Sequence, residues 1–108
     1  MTEAPETELS PQRASDLVEG GAALIDVRTP EERAVARIQG SRHIQLEQVA
    51  GEAESIDRDR PVVFYCKVGA RSAMATEAFR AAGYEAYNLA GGINGWIKMG
   101  LPVSDGPS

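Results

Sequence analysis

The chain has few of the residues that build disulfide frameworks or metal centres. Cys66 is the only cysteine among 108 residues, so no internal disulfide can form. That fits a reducing compartment better than a secreted, disulfide-stapled scaffold. His43 is the only histidine, and one Cys with one His cannot supply a Cys/His zinc cluster. No carboxylate pair has a metal spacing with them, so neither a metal nor a cofactor is expected. The apolar runs are a few residues long, far short of a membrane span. The opening MTEAPETELS has no basic start and no apolar stretch, unlike a secretory signal. A cytoplasmic protein with no membrane association is the expectation. An excess of basic charge is also missing. There are 16 acids against 11 bases, a net charge of −5, and that field does not favour nucleic acid. Glu3, Glu6, Glu8 and Asp105 lie at the two ends, which leaves 12 acids against 11 bases between them. The middle of the chain is therefore close to neutral.

What is present is an ordinary globular composition, 43% apolar, at a length that fits one domain with one modest core. Residues 1–6 and 104–108 read as loose polar tails around a domain at 7–103. Ser10-Pro11 starts a helix, with Ser10 as N-cap and Pro11 first in line; Gly20-Gly21 ends it. Ala22 to Ile25 is a buried strand. Thr29-Pro30-Glu31-Glu32 opens a second helix with a capping box. Gly40 marks a turn, Arg42 to Ile44 a short strand, and Leu46 to Ala53 a short helix. Asp57 to Arg60 is a charged turn. Pro61-Val62-Val63-Phe64-Tyr65 is the strongest strand signal, apolar without alternation, as a strand covered on both faces should be. Residues 71–82 form a helix with Ala75, Ala78, Phe79 and Ala82 at helical spacing and Gly83 closing it. Ala86 to Leu89 is a further strand. Gly91-Gly92 opens a last helix with Ile93, Trp96 and Ile97 on one face.

Strands that alternate with helices imply an α/β domain, a mainly parallel sheet with helices on both sides. Ligands of such folds bind beyond the carboxyl ends of the strands. Two strands here run into polar groups: Ile25 into Asp26 and Arg28, and Tyr65 into Cys66. The segment Cys66-Lys67-Val68-Gly69-Ala70-Arg71-Ser72 joins a buried strand to a helix. A thiol there faces a helix N-terminus, where free amides and the macrodipole favour an anion. Lys67 and Arg71 add positive charge, and each factor favours the nucleophilic thiolate. Gly69 lets the backbone turn so that several amides point inward. A cysteine at the end of an apolar strand also fits as core filler. That reading leaves Lys67, Gly69 and Arg71 at a helix start unaccounted for.

The segment CKVGARS resembles the active-site loop of the rhodanese family of sulfurtransferases. Three other stretches are similar to the family's motifs and occur in its order: Leu24 to Glu32, Ile38-Gln39-Gly40-Ser41, and Leu89 to Trp96. The resemblance covers residues 8–103. It implies a three-layer rhodanese-like fold with a five-stranded, mainly parallel sheet. It also implies a persulfide mechanism, in which the Cys66 thiolate takes the outer sulfur of a small anionic donor such as thiosulfate. Lys67, Val68, Gly69, Ala70, Arg71 and Ser72 would then line the substrate cradle, with Asp26 and Arg28 supporting it from the neighbouring strand end. An ion pair that merely holds strand to helix would explain Asp26 and Arg28 equally well. The acceptor, a thiol, cyanide or a sulfur-carrier protein, must be external because there is no second cysteine. Two departures from the family stand out. Ala36-Arg37-Ile38 replaces a frequent Gly-His-Ile, and no aromatic residue lies near Arg33. The segment 33–38 is therefore expected to pack differently and to expose more charge.

Two other function classes compete. A cysteine phosphatase or an arsenate reductase also holds a thiolate in an amide cradle. Phosphatases usually place five residues between Cys and Arg, whereas four separate Cys66 from Arg71. The shorter loop leaves less room for a tetrahedral phosphate. A non-catalytic interaction module on the same scaffold is the third reading, since fold does not fix function. An intact cysteine cradle argues against it. His43, Trp96, Phe64 and Tyr65 read as packing residues.

Overall fold

The computed structural model describes residues 6–105. Five strands form one sheet, each parallel to its neighbours: β1 (Glu8–Leu9), β2 (Ala23–Asp26), β3 (Arg42–His43), β4 (Val62–Tyr65) and β5 (Ala86–Leu89). Their order across the sheet is β1-β5-β4-β2-β3. The chain steps outward from β2 to β3 on one side, then returns to place β4 and β5 on the other. The order therefore reverses between β2 and β4, where an open α/β sheet leaves its ligand crevice.

The helices are α1 (Pro11–Glu19), α2 (Pro30–Val35), α3 (Leu46–Val49), α4 (Ala70–Ala81) and α5 (Gly92–Lys98). A 3₁₀ turn, Ala50–Ser55, continues α3, where the sequence reads as one helix to Ala53. On one face of the sheet, Val49, Ala75 and Phe79 from α3 and α4 pack on Ile25, Val62 and Phe64. On the other, Ala14, Ile93 and Trp96 from α1 and α5 pack on Leu24, Val63 and Tyr65. This is the three-layer α/β arrangement expected. All four β4 residues are fully buried, because alternate side chains feed both cores. Rings of Phe64, Phe79 and Tyr84 meet in tilted or edge contacts at 5.0 and 4.8 Å.

Four details depart from the sequence reading. Ser104, assigned to the C-terminal tail, is tied to Arg37 by two backbone hydrogen bonds of 2.8 and 2.7 Å. Residues 1–5 and 106–108 of the expected tails lie outside the described residues. Ile97 does not join Ile93 and Trp96 in the core; it is 46% exposed. The buried stripe of α4 is Ser72, Ala75, Thr76 and Phe79, with Ala78 and Ala82 exposed. Finally, Arg33 does not add exposed charge. Its guanidinium is buried and donates to Asp26 Oδ2 at 3.2 Å and to the Ser41 carbonyl at 2.7 Å.

Candidate active site

Cys66 follows the last residue of β4, and Gly69 is the N-cap of α4. The chain turns between them with Gly69 at φ +107°, a conformation natural to glycine. The turn brings the loop amides around the sulfur. The Gly69 N–H lies 3.1 Å from Cys66 Sγ and the Ser72 N–H 3.5 Å; the Ser72 hydroxyl lies at 3.3 Å. The side chain is fully buried. Burial pushes the thiol up, but hydrogen bonds from the Ser72 hydroxyl and from the amides of Ser72, Gly69 and Val68 outweigh it. The net effect holds the thiol below its ordinary range, so the thiolate is favoured.

The outer side of the loop is clamped from the C-terminal motif. Ile93 N–H donates to the Cys66 carbonyl at 2.9 Å, and Asn94 N–H to the Lys67 carbonyl at 3.2 Å. These bonds turn the two carbonyls away from the sulfur. Gly92, at φ +59°, passes so close that a β-carbon there would sit 2.5 Å from the Cys66 carbonyl oxygen. The Gly91-Gly92 pair thus has a site role that the sequence reading did not give it.

The remaining expected residues divide into two groups. Val68 brings its amide to the sulfur while its side chain is 60% exposed. Lys67 and Ala70 are also exposed. Lys67 lines a hollow of about 330 Å³ with Arg28, Glu32, Ile93, Asn94 and Ile97. Val68 lines an adjoining one of about 510 Å³ that shares Asn94 and Ile97. Arg71 is not in the sulfur's hydrogen-bond set. Its guanidinium is held by both oxygens of Glu32 at 2.8 Å, which pushes it up and holds the Glu32 carboxyl down at about 2. Asp26 and Arg28 make no hydrogen bond to Cys66. Asp26 accepts two bonds of 2.9 Å from Arg28 and one from Arg33, all buried. Arg28 also donates to the Ala36 carbonyl at 2.6 Å. His43 donates from Nε2 to the Arg28 carbonyl at 2.7 Å, a structural role.

Sequence reasoning passed over two contributors. Glu32 was read only as a capping residue, and it is that: Thr29 N–H donates to its carboxylate and it donates its own N–H to Thr29 Oγ1. Asn88 was read as strand interior. A polar side chain inside an otherwise apolar buried strand was the available signal.

The model of the rhodanese-like domain matches residues 10–99. The chain belongs to the rhodanese-like domain family. Among its relatives, the thiosulfate sulfurtransferase GlpE of Pseudomonas aeruginosa (strain LESB58) is 38% identical over 92 residues, 84% of each chain. The protein of the same name from Actinobacillus succinogenes is 33% identical over 99 residues, covering 90% of this chain and 89% of that one. Among solved structures, the rhodanese-related protein of Thermoplasma volcanium superposes with a TM-score of 0.84 at 27% identity. It covers 90% of this chain and 96% of its own. The rhodanese assignment thus rests on a match along almost the whole domain and on a shared sheet. Among the described residues, no helix is long and apolar enough to cross a membrane and no cluster of His, Cys, Asp or Glu could hold a metal ion.

Proposed function

We propose that this rhodanese-like domain is a sulfurtransferase that carries sulfur as a persulfide on Cys66. The observation that carries the reading is the buried Cys66 sulfur at the focus of the Gly69 and Ser72 amides and the Ser72 hydroxyl. The names of the relatives support the same activity. The Cys66 thiolate attacks the outer sulfur of a small anionic donor such as thiosulfate. A sulfur–sulfur bond to Cys66 forms, the donor's own sulfur–sulfur bond breaks, and its electron pair leaves with sulfite. The terminal persulfide sulfur is anionic, and the inward amides and the N-terminus of α4 stabilise that charge. A thiophilic acceptor then attacks the terminal sulfur and Cys66 departs as thiolate, so the enzyme returns unchanged. With one cysteine in the chain, the acceptor is a thiol, cyanide or sulfur-carrier protein from outside. Lys67 supplies an exposed cation beside the loop for the anionic donor. Asp26 and Arg28 support the site through the fold rather than by contact.

Sulfur transfer is favoured over phosphate chemistry by the loop length, since four residues rather than a phosphatase's usual five separate Cys66 from Arg71. Steady-state assays test the reading. The protein should form thiocyanate from thiosulfate and cyanide, and Cys66→Ser should not. Hydrolysis of an aryl phosphate without thiocyanate formation would overturn the assignment in favour of a phosphatase, and silence in both assays would favour an interaction module.

A further inference from the structure

Cys66 and Asn88 lie on either side of the one hydroxyl of Ser72. The Asn88 side chain lies in β5 and is almost fully buried. Its Nδ2 donates to both carboxylate oxygens of Glu8 and to the Gly69 carbonyl, each at 3.0 Å. Those acceptors fix the orientation of the amide, since its oxygen cannot face them. Oδ1 therefore points at Ser72 Oγ, 2.5 Å away. Oδ1 carries no proton, so the Ser72 hydroxyl must be the donor. The same hydroxyl lies 3.3 Å from Cys66 Sγ. A serine hydroxyl has one proton and two lone pairs. While its proton rests on Asn88, it offers the sulfur a lone pair and can only accept from S–H. To donate to a thiolate it must turn away from Asn88. That leaves a buried carbonyl oxygen unpaired, at a cost in free energy.

We propose that Asn88 is a positioning residue that couples the ionisation of Cys66 to the place of the Ser72 proton. Beside the thiol, Ser72 donates to Asn88; beside the thiolate, it donates to sulfur. Only the S–H bond breaks, and its proton goes to solvent; the hydroxyl proton stays on Ser72 and changes acceptor. Asn88 thereby holds the thiol higher than the cradle alone would. The charged groups around the sulfur are Lys67 and Arg71 on its own loop and helix, Glu32 on α2, Asp26 at the end of β2 with Arg28 just beyond it, and Glu8 on β1. Of these, Glu8 hydrogen-bonds to Asn88 on the far side of the amide. The use of this device in sulfur transfer rests on the function proposed above, but the titration itself does not.

The test reads the thiol directly. Because Cys66 is the only cysteine, the ultraviolet absorbance of thiolate in the full chain comes from it once the contribution of the three tyrosines is subtracted by the longer-wavelength band of tyrosinate. Asn88→Leu should move the titration midpoint to lower pH, on the order of one pH unit. Ser72→Ala should move it to higher pH. In the Ser72→Ala background, Asn88→Leu should then move nothing. A purely structural Asn88 predicts the opposite: a slackened loop raises the midpoint in both backgrounds. That result, or an unmoved midpoint in the single variant, overturns the proposal. Asn88→Ala removes the same acceptor with less bulk and carries the same expectation if the leucine variant does not fold. The expected titrations in a protein that moves no sulfur would sink the proposed function and leave Asn88's role standing.

Discussion

Glu32 shows how one residue serves two scales of structure. Its Oε1 accepts from Thr29, three residues back, and from Arg71, 39 residues on. Sequence motifs exposed the first bond because a capping box is local. They could not expose the second, which depends on where α2 and α4 come together. The pair leaves Arg71 nearly neutralised beside the sulfur. Glu32→Gln should keep much of the cap, free Arg71, and lower the KM for thiosulfate about two- to fivefold; Arg71→Ala should raise it by a similar factor. An unchanged KM in both variants would show that the loop amides bind the donor alone. The pH dependence has a definite sign. The Arg71 hydrogen bond holds folded Glu32 at about 2, against an ordinary value of 4.5. Its contribution to stability is therefore full above 4.5 and is lost as pH falls through about 2. The pair is partly exposed to solvent, so the contribution is small. Between neutral pH and about 5, stability should not differ between wild type and Glu32→Gln by more than the loss of the ion pair itself. A separate loss of the difference in that range would contradict the assignment.

At the scale of elements, the active loop is shaped by two helix N-termini at once. That of α4 faces the sulfur, and that of α5 holds the loop's carbonyls from behind. The first was legible, since a cysteine between an apolar strand and a helix start is a sequence pattern. The second was not, because Gly91-Gly92 looks like an ordinary turn until its distance from Cys66 is known. Gly92→Ala places a β-carbon where the Cys66 and Lys67 carbonyls lie and strains a positive φ. It should cut kcat for thiocyanate formation at least tenfold, since a slight misplacement of a reacting group is costly. It should also raise the pH at which the thiol titrates; wild-type kinetics in this variant would remove the clamp from the account. The stripe of α4 carries a related lesson. Counting apolar residues selected Ala78 and Ala82, whereas the buried positions include Ser72 and Thr76. Thr76 donates to the Ser72 carbonyl at 2.9 Å, so the polar members of that face support the site.

Over the whole molecule, the α/β class and the parallel sheet were readable from the alternation of apolar runs and helix caps. β1 was not, because two edge residues, one exposed and one buried, carry no periodicity. The buried charge cluster at the carboxyl end of β2 was only half readable. Asp26 and Arg28 sit two apart in sequence, but Arg33 joins them through the packing of α2. One carboxylate thus serves two buried guanidiniums, and Arg33 Nε has no partner among the described residues. Asp26→Ala would leave both cations unpaired and should destabilise the fold by about 3–5 kcal/mol in urea unfolding. A loss below about 1 kcal/mol would mean that solvent reaches the cluster. The central claim, however, concerns the sulfur. Intact mass of the protein after incubation with thiosulfate is its most direct test. The account predicts a gain of one sulfur atom, absent in Cys66→Ser and reversed by cyanide with release of thiocyanate. An unchanged mass in the wild-type protein, or an equal gain in Cys66→Ser, would contradict it.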